Sequence, residues 1–202
     1  MIADIFCFIA KLLSGLTIRW SGCKPDDKQR VYFANHTSHM DFVMIWAALP
    51  KEIRKKTQPI AAKDYWGCGR FRKYIANKII HAVLIKRNQI VCRHSENPIN
   101  IMCEALDKGS SLIIFPEGTR NTHETIKNFQ SGLYHLCKRR KDIEYIPVYL
   151  ENLSRILPKG EFLPIPILGS VTFGAPLTIN NNELKADFLN RARQAIEELK
   201  QL

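Results

Sequence analysis

Short apolar runs punctuate this chain, and helical patterns separate them. The runs cover residues 31–34, 59–62, 82–85, 112–115 and 145–150, each bounded by polar or turn residues. Helices are expected from Phe42 through Leu49, stopped by Pro50, and over residues 98–107, with Pro98 first and Gly109 as the stop. Two more are expected over residues 129–140 and through Leu184, Phe188, Leu189, Ala192, Ile196 and Leu199. Residues 65–80 read as loop then helix, and 169–179 as further strands with turns. Strands buried on both faces and alternating with helices define an α/β fold, a mostly parallel central sheet flanked by helices. In such sheets ligands gather beyond the strand ends, where loops lead into helices.

The amino-terminal stretch has a different pattern. Ile2, Ile5, Phe6, Ile9, Leu12, Leu13 and Leu16 recur at helical spacing. A core-packing helix would show the same spacing. Asp4 is the first charged residue and Lys11 interrupts the apolar positions, unlike a secretory signal. The expectation is an amphipathic membrane-interface helix over residues 1–20, with Trp20 at the headgroups and Arg19 beside it. Residues 21–202 then form one domain. No apolar run is long enough to span a bilayer.

Charge narrows the partners. The chain carries a formal net charge of +11. Lys51, Arg54, Lys55, Lys56, Lys63, Arg70, Arg72, Lys73, Lys78, Lys86, Arg87 and Arg93 crowd one stretch, opposed there by Glu52 and Asp64. Lys138 to Lys141 add a second cluster. An anionic membrane surface is the expected partner. Nucleic acid is not, since no nucleic-acid module is present and no aromatics interleave the cations at stacking intervals. The six cysteines form no C-x-x-C pair and read as reduced thiols, with no metal site among them.

Two strand ends carry chemistry. After the first run comes Asn35-His36-Thr37-Ser38-His39-Met40-Asp41. A carboxylate on one imidazole nitrogen fixes the tautomer and leaves the other nitrogen a base. Five residues apart on a regular helix would put His36 and Asp41 on different faces. The pair works if His36 precedes the helix and Asp41 sits in its first turn, with Ser38 as N-cap. Ser38-x-x-Asp41 also reads as a capping box, which would leave His36 a plain loop residue. After the fourth run comes Glu117-Gly118-Thr119-Arg120, an acid, a flexible glycine and an arginine suited to phosphate. It also has the composition of an ordinary turn. Lys63 and Arg87 stand just past two further strands.

These residues resemble the lysophospholipid acyltransferase family, also called the 1-acylglycerol-3-phosphate acyltransferase family. Residues 35–41 match its N-H-x-S-x-x-D block, and Phe115 to Arg120 match its F-P-E-G-T-R block in full. Residues 83–87 resemble its second block and Ile146-Pro147-Val148 its fourth, in family order. The second block usually opens on glycine and has an acid before its arginine; His81 and Lys86 stand there instead.

The resemblance implies that His36 is the general base and Asp41 its orienting partner. It implies that Lys63, Arg87, Glu117, Gly118, Thr119 and Arg120 form the acceptor's phosphate-binding site, Glu117 positioning it. The donor would be acyl-CoA or acyl-carrier protein, with no cofactor or metal. The expected reaction transfers a fatty acyl group to the free hydroxyl of lysophosphatidic acid, giving phosphatidic acid at the cytoplasmic face of a membrane. The enzyme would be peripheral or monotopic there, with oxyanion donors near Ser38. An acyltransferase for another lysolipid, an aminolipid or glycolipid, and a thioester hydrolase are the alternatives.

Overall fold

The computed structural model describes residues 7, 15–38, 41–66, 69–85, 97–121, 125–151 and 169–201. Its strands are β1 (Thr17–Trp20), β2 (Arg30–Ala34), β3 (Thr57–Ala62), β4 (Val83–Ile85), β5 (Ser111–Ile114), β6 (Glu144–Glu151) and β7 (Ser170–Phe173). Its helices are α1 (Asp41–Ala48), α2 (Lys51–Lys55), α3 (Lys63–Trp66), α4 (Arg70–Tyr74), α5 (Pro98–Asp107), α6 (Gly132–Arg139) and α7 (Lys185–Leu199). A π-helical segment, Ile75–Ile79, continues α4.

The sheet order is β1-β7-β6-β2-β5-β3-β4. Among the described strands only β6 and β7 pair antiparallel. The mostly parallel sheet expected from the apolar runs is therefore present. Both faces are covered, which is why the runs are continuous rather than alternating. Tyr32 and Ala34 join α1, Ile75, Ile80 and Phe173 in one core. Val31 and Phe33 join α5, α6 and α7 in the other, around Met102, Leu136 and Phe188. Every residue of α1 is buried, as befits a helix apolar on all sides but for Asp41. The α5 helix starts where Asn97 Oδ1 accepts from Ile99 N at 2.9 Å, with Pro98 at its first position.

The order of strands makes a crevice. From β2 the chain enters α1 on one face and moves towards β3; from β5 it enters α6 on the other face and moves back to β6. Adjacent strands whose helices leave in opposite directions and on opposite faces open a gap beyond their carboxyl ends. The two motif loops, after β2 and after β5, meet at that gap.

The amino-terminal expectation is corrected at its end. Residues 17–20 are the edge strand β1, paired parallel with β7, and not the last turn of a helix. Thr17 and Ile18 are β-branched, and Trp20 stacks on Phe173 with ring centroids 4.0 Å apart and planes 8° from parallel. That stacking puts the indole against the sheet, packed on Phe173. The rest of the expected helix lies outside the described residues, Cys7 and residues 15–16 excepted.

His81, where the family has glycine, sits at φ 49°. The left-handed region disfavours a side chain by about 1–2 kcal/mol, histidine less than β-branched residues. His81→Gly is therefore expected to be neutral or stabilising by up to ~1 kcal/mol, and His81→Val destabilising by about 1–2 kcal/mol. Urea unfolding midpoints of the two variants check this.

Candidate active site

The site is built from two loops held level by the sheet. Val31, Tyr32 and Phe33 of β2 pair with Leu112, Ile113 and Ile114 of β5. Carrying that register forward sets His36 opposite Glu117. Asn35 anchors the first loop from the other side. Its Nδ2 donates to Leu150 O at 2.9 Å, and its Oδ1 accepts from Leu150 N at 2.8 Å. A side chain thus replaces one more rung of the β2–β6 ladder, and the chain is free to turn at His36.

After Asn35 the backbone folds back over the start of α1. Asp41, fully buried, receives His36 Nδ1 at 2.9 Å, Thr37 N at 2.6 Å and Ser38 N at 2.8 Å, all on Oδ2. The capping and the catalytic readings are therefore both met by one carboxylate. Asp41 satisfies orphan amides at the helix start. It also fixes the ring of His36, since an ionised carboxylate can only accept and Nδ1 must carry the proton. Nε2 is left as the basic nitrogen. Phe115 stacks on the imidazole, centroids 4.3 Å apart, and limits its rotation.

Glu117 has a different role from a phosphate ligand. It is buried, and its Oε1 accepts from His36 N at 2.8 Å while Oε2 accepts from Lys127 N at 3.1 Å. Asn121 N returns a bond to His36 O at 2.7 Å. The loop after β5 thus grips both backbone polar groups of His36. Burial pushes the Glu117 pKa above the ordinary carboxylate range, while the bonds from His36, Lys127 and Asn121 pull it down. Ionisation therefore costs native stability: this contribution is greatest on the acid side and is lost as pH rises through the raised pKa. The ionised form is the one that accepts both amide bonds. In Glu117→Gln one oxygen becomes an NH2 group facing a donor. That variant is expected to lose about tenfold in kcat with KM nearly unchanged, because one buried bond is worth about 1–3 kcal/mol. Its stability no longer declines as pH rises through the Glu117 pKa, and steady-state kinetics with a pH series of melts tests both statements.

Gly118 turns the chain in the left-handed region, φ 72°, where its amide bonds back to Phe115 O at 3.1 Å. A Cβ there would stand 3.3 Å from Gln130 Cγ. Thr119 is exposed and Arg120 half-buried on the same loop. Lys63 is exposed just past β3, as expected of a strand-end residue. Among the described residues neither Lys63 nor Arg120 has an acidic partner. Arg87 lies outside the described residues. The amides of Thr37 and Ser38 are committed to Asp41, and residues 39–40, at the helix start after Ser38 where oxyanion donors were expected, lie outside the described residues.

Sequence reasoning missed Lys127. Its amide meets Glu117, and its Nζ lies 3.5 Å from Arg120 O, which adds a cation to the rim. No motif marks it; only the fold of the loop brings it back. His36 also borders a cavity of about 230 Å³, lined by Ala62, Ile85, Ile99, Met102, Phe115 and Leu133 among others. The chamber runs between β3, β4 and β5 on one side and α5 and α6 on the other.

Comparison with known proteins agrees with this architecture. A family model described as Acyltransferase matches residues 18–151, and the chain belongs to that family. Within it the chain is similar to a 1-acyl-sn-glycerol-3-phosphate acyltransferase of Limnanthes douglasii, 25% identical over 171 residues, which cover 83% of this chain and 57% of that protein. The mouse 1-acyl-sn-glycerol-3-phosphate acyltransferase alpha is 25% identical over 158 residues, 75% of this chain and 51% of the relative. A taffazin of Dictyostelium discoideum is 26% identical over 151 residues, 69% and 50%. The chain spans about half the length of these relatives. The crystal structure of the 1-acyl-sn-glycerophosphate (LPA) acyltransferase PlsC from Thermotoga maritima superposes with a TM-score of 0.72 at 20% identity, covering 99% of this chain and 79% of that one. That likeness establishes the fold.

Proposed function

We propose that this protein transfers a fatty acyl group from a thioester donor, acyl-CoA or acyl-carrier protein, to the free hydroxyl of lysophosphatidic acid, giving phosphatidic acid. One observation carries the reading: a base fixed by a buried carboxylate, His36 Nδ1 to Asp41 Oδ2 at 2.9 Å, at the mouth of an apolar chamber. Lys63 and Arg120 stand at the neighbouring strand ends.

In this mechanism His36 Nε2 takes the proton of the acceptor hydroxyl. The oxygen attacks the thioester carbonyl, and Asp41 stabilises the imidazolium. The tetrahedral intermediate collapses with cleavage of the carbon–sulfur bond, and His36 returns the proton to the departing thiolate. No acyl-enzyme forms. The apolar chamber accommodates acyl-chain methylenes, and Arg120, Lys63 and Arg87 meet the acceptor phosphate. The substrates place the enzyme at a membrane surface, peripheral and on the cytoplasmic side. No helix among the described residues is long and apolar enough to cross a bilayer.

Arg120→Gln tests the acceptor. Loss of a charge-assisted phosphate contact of about 1.5–3 kcal/mol should raise KM for lysophosphatidic acid roughly 10- to 100-fold. Turnover of monoacylglycerol, which lacks the phosphate, should not change. Equal KM values for lysophosphatidic acid in wild type and variant would reject phosphate recognition at this loop.

A further inference from the structure

A cationic face runs along α4 and the π segment behind it. Arg70, Lys73, Tyr74, Asn77, Lys78 and His81 are exposed, while Ala76 is buried and Ile75 and Ile80 enter the core around α1. The exposed residues recur at the intervals of one helix face. The wide turn matters here: Ile80 N donates to Ile75 O at 3.1 Å, five residues back, so both isoleucines stay buried. Asn77 and Lys78 are exposed, as Arg70 and Tyr74 are. Such turns are rare and recur at functional sites. The face ends at His81, whose left-handed backbone is a second local cost.

The charge on this face is uncompensated. The chain holds no Asp or Glu between Asp64 and Glu96. Among the described residues Arg70, Lys73 and Lys78 have no acidic partner. Lys55 and Lys56, by contrast, are matched, 3.0 Å from Glu52 and 3.0 Å from Asp27. Tyr74, at 49% exposed, is one of two large apolar side chains left outside among the described residues. A tyrosine flanked by unpaired cations suits a polar–apolar boundary. The face lies on the sheet side where Leu16 and Ile18 also pack.

We propose that this face rests on a layer of anionic phospholipid headgroups and holds the rim at Lys63 against the lipid that supplies the acceptor. The choice of lipid over another polyanion rests on the acyl-transfer reading. The contact itself is electrostatic and needs no catalysis.

The test is co-sedimentation of the full chain with vesicles of phosphatidylcholine, alone or mixed with phosphatidylglycerol, at low and high salt. Wild type should partition onto the mixed vesicles and be released by salt. Arg70→Gln, Lys73→Gln and Lys78→Gln should each weaken partition about fivefold, and the triple variant roughly a hundredfold. Lys55→Gln with Lys56→Gln should leave it unchanged, since those cations are already paired. Matching thermal transitions show that the variants fold. Triple-variant partition equal to wild type would overturn the proposal, as would equal binding of wild type to phosphatidylcholine alone. Loss of binding to an acidic acyl-carrier protein with vesicle binding intact would reassign the face to the donor. No substrate enters the measurement, so failure of the acyl-transfer reading is read separately.

Discussion

His36→Ala should lower kcat for acyl transfer by about 10²–10⁴-fold, the worth of a positioned general base. The reason lies in the geometry. A hydroxyl is a poor nucleophile at neutral pH, and Nε2 is the basic nitrogen that the Nδ1–Asp41 bond leaves at the cavity mouth. The side chain is 18% exposed, stacks on Phe115 and bonds buried Asp41, so its loss should also cost some stability. Thioester binding should stay near wild type while turnover collapses, and the variant should still melt as a folded protein. Because Glu117 holds the backbone of residue 36 and not its ring, the loop should keep its place in the variant.

Asp41→Asn is expected to cost about 10³–10⁴-fold in kcat, as when a carboxylate orienting a catalytic histidine loses its charge. Asparagine keeps one oxygen where Oδ2 receives Thr37 N and Ser38 N, so the start of α1 can survive. What it cannot do is stabilise the imidazolium formed as the proton moves. Asp41→Ala removes the amide acceptors as well, and should lower the melting temperature where Asn does not. His36 and Asp41 act as one unit, so the double variant should be hardly slower than His36→Ala alone. Additive losses would mean that Asp41 acts somewhere other than through His36. Single-turnover kinetics of the three variants, with thermal melts, separates these outcomes.

Much of this was legible in the residues, and particular reasons explain the rest. The helix over residues 98–107 begins and ends where Pro98 and Gly109 punctuate it, and α5 has those bounds. The parallel sheet followed from apolar runs with no alternation, since both faces are covered. The strand-end positions of His36, Lys63 and Glu117 followed in turn.

The end of the amino-terminal pattern was not legible. Thr17–Trp20 is too short for its period to be read, and its partner Ser170–Phe173 lies far along the chain. The π turn was hidden for a related reason, because its apolar spacing differs from that of an α-helix by a single residue. Glu117 was expected to position the phosphate-binding site, without its partners being known. Its partners are the amides of His36 and Lys127, and backbone donors leave no signature in a sequence. His36 and Asp41 were an ambiguous pair on spacing alone; the fold-back after Asn35 brings them together.

The central claim is direct transfer from thioester to a phosphate-bearing alcohol, and thiol release by wild-type protein tests it most simply. Acyl-CoA and acyl-carrier protein would be supplied in turn on anionic liposomes, with and without lysophosphatidic acid, and the lipid product identified. Release only when the acceptor is present, with phosphatidic acid formed in equal amount, is the expected result. Release at the same rate without acceptor, or accumulation of an acylated protein, would contradict it.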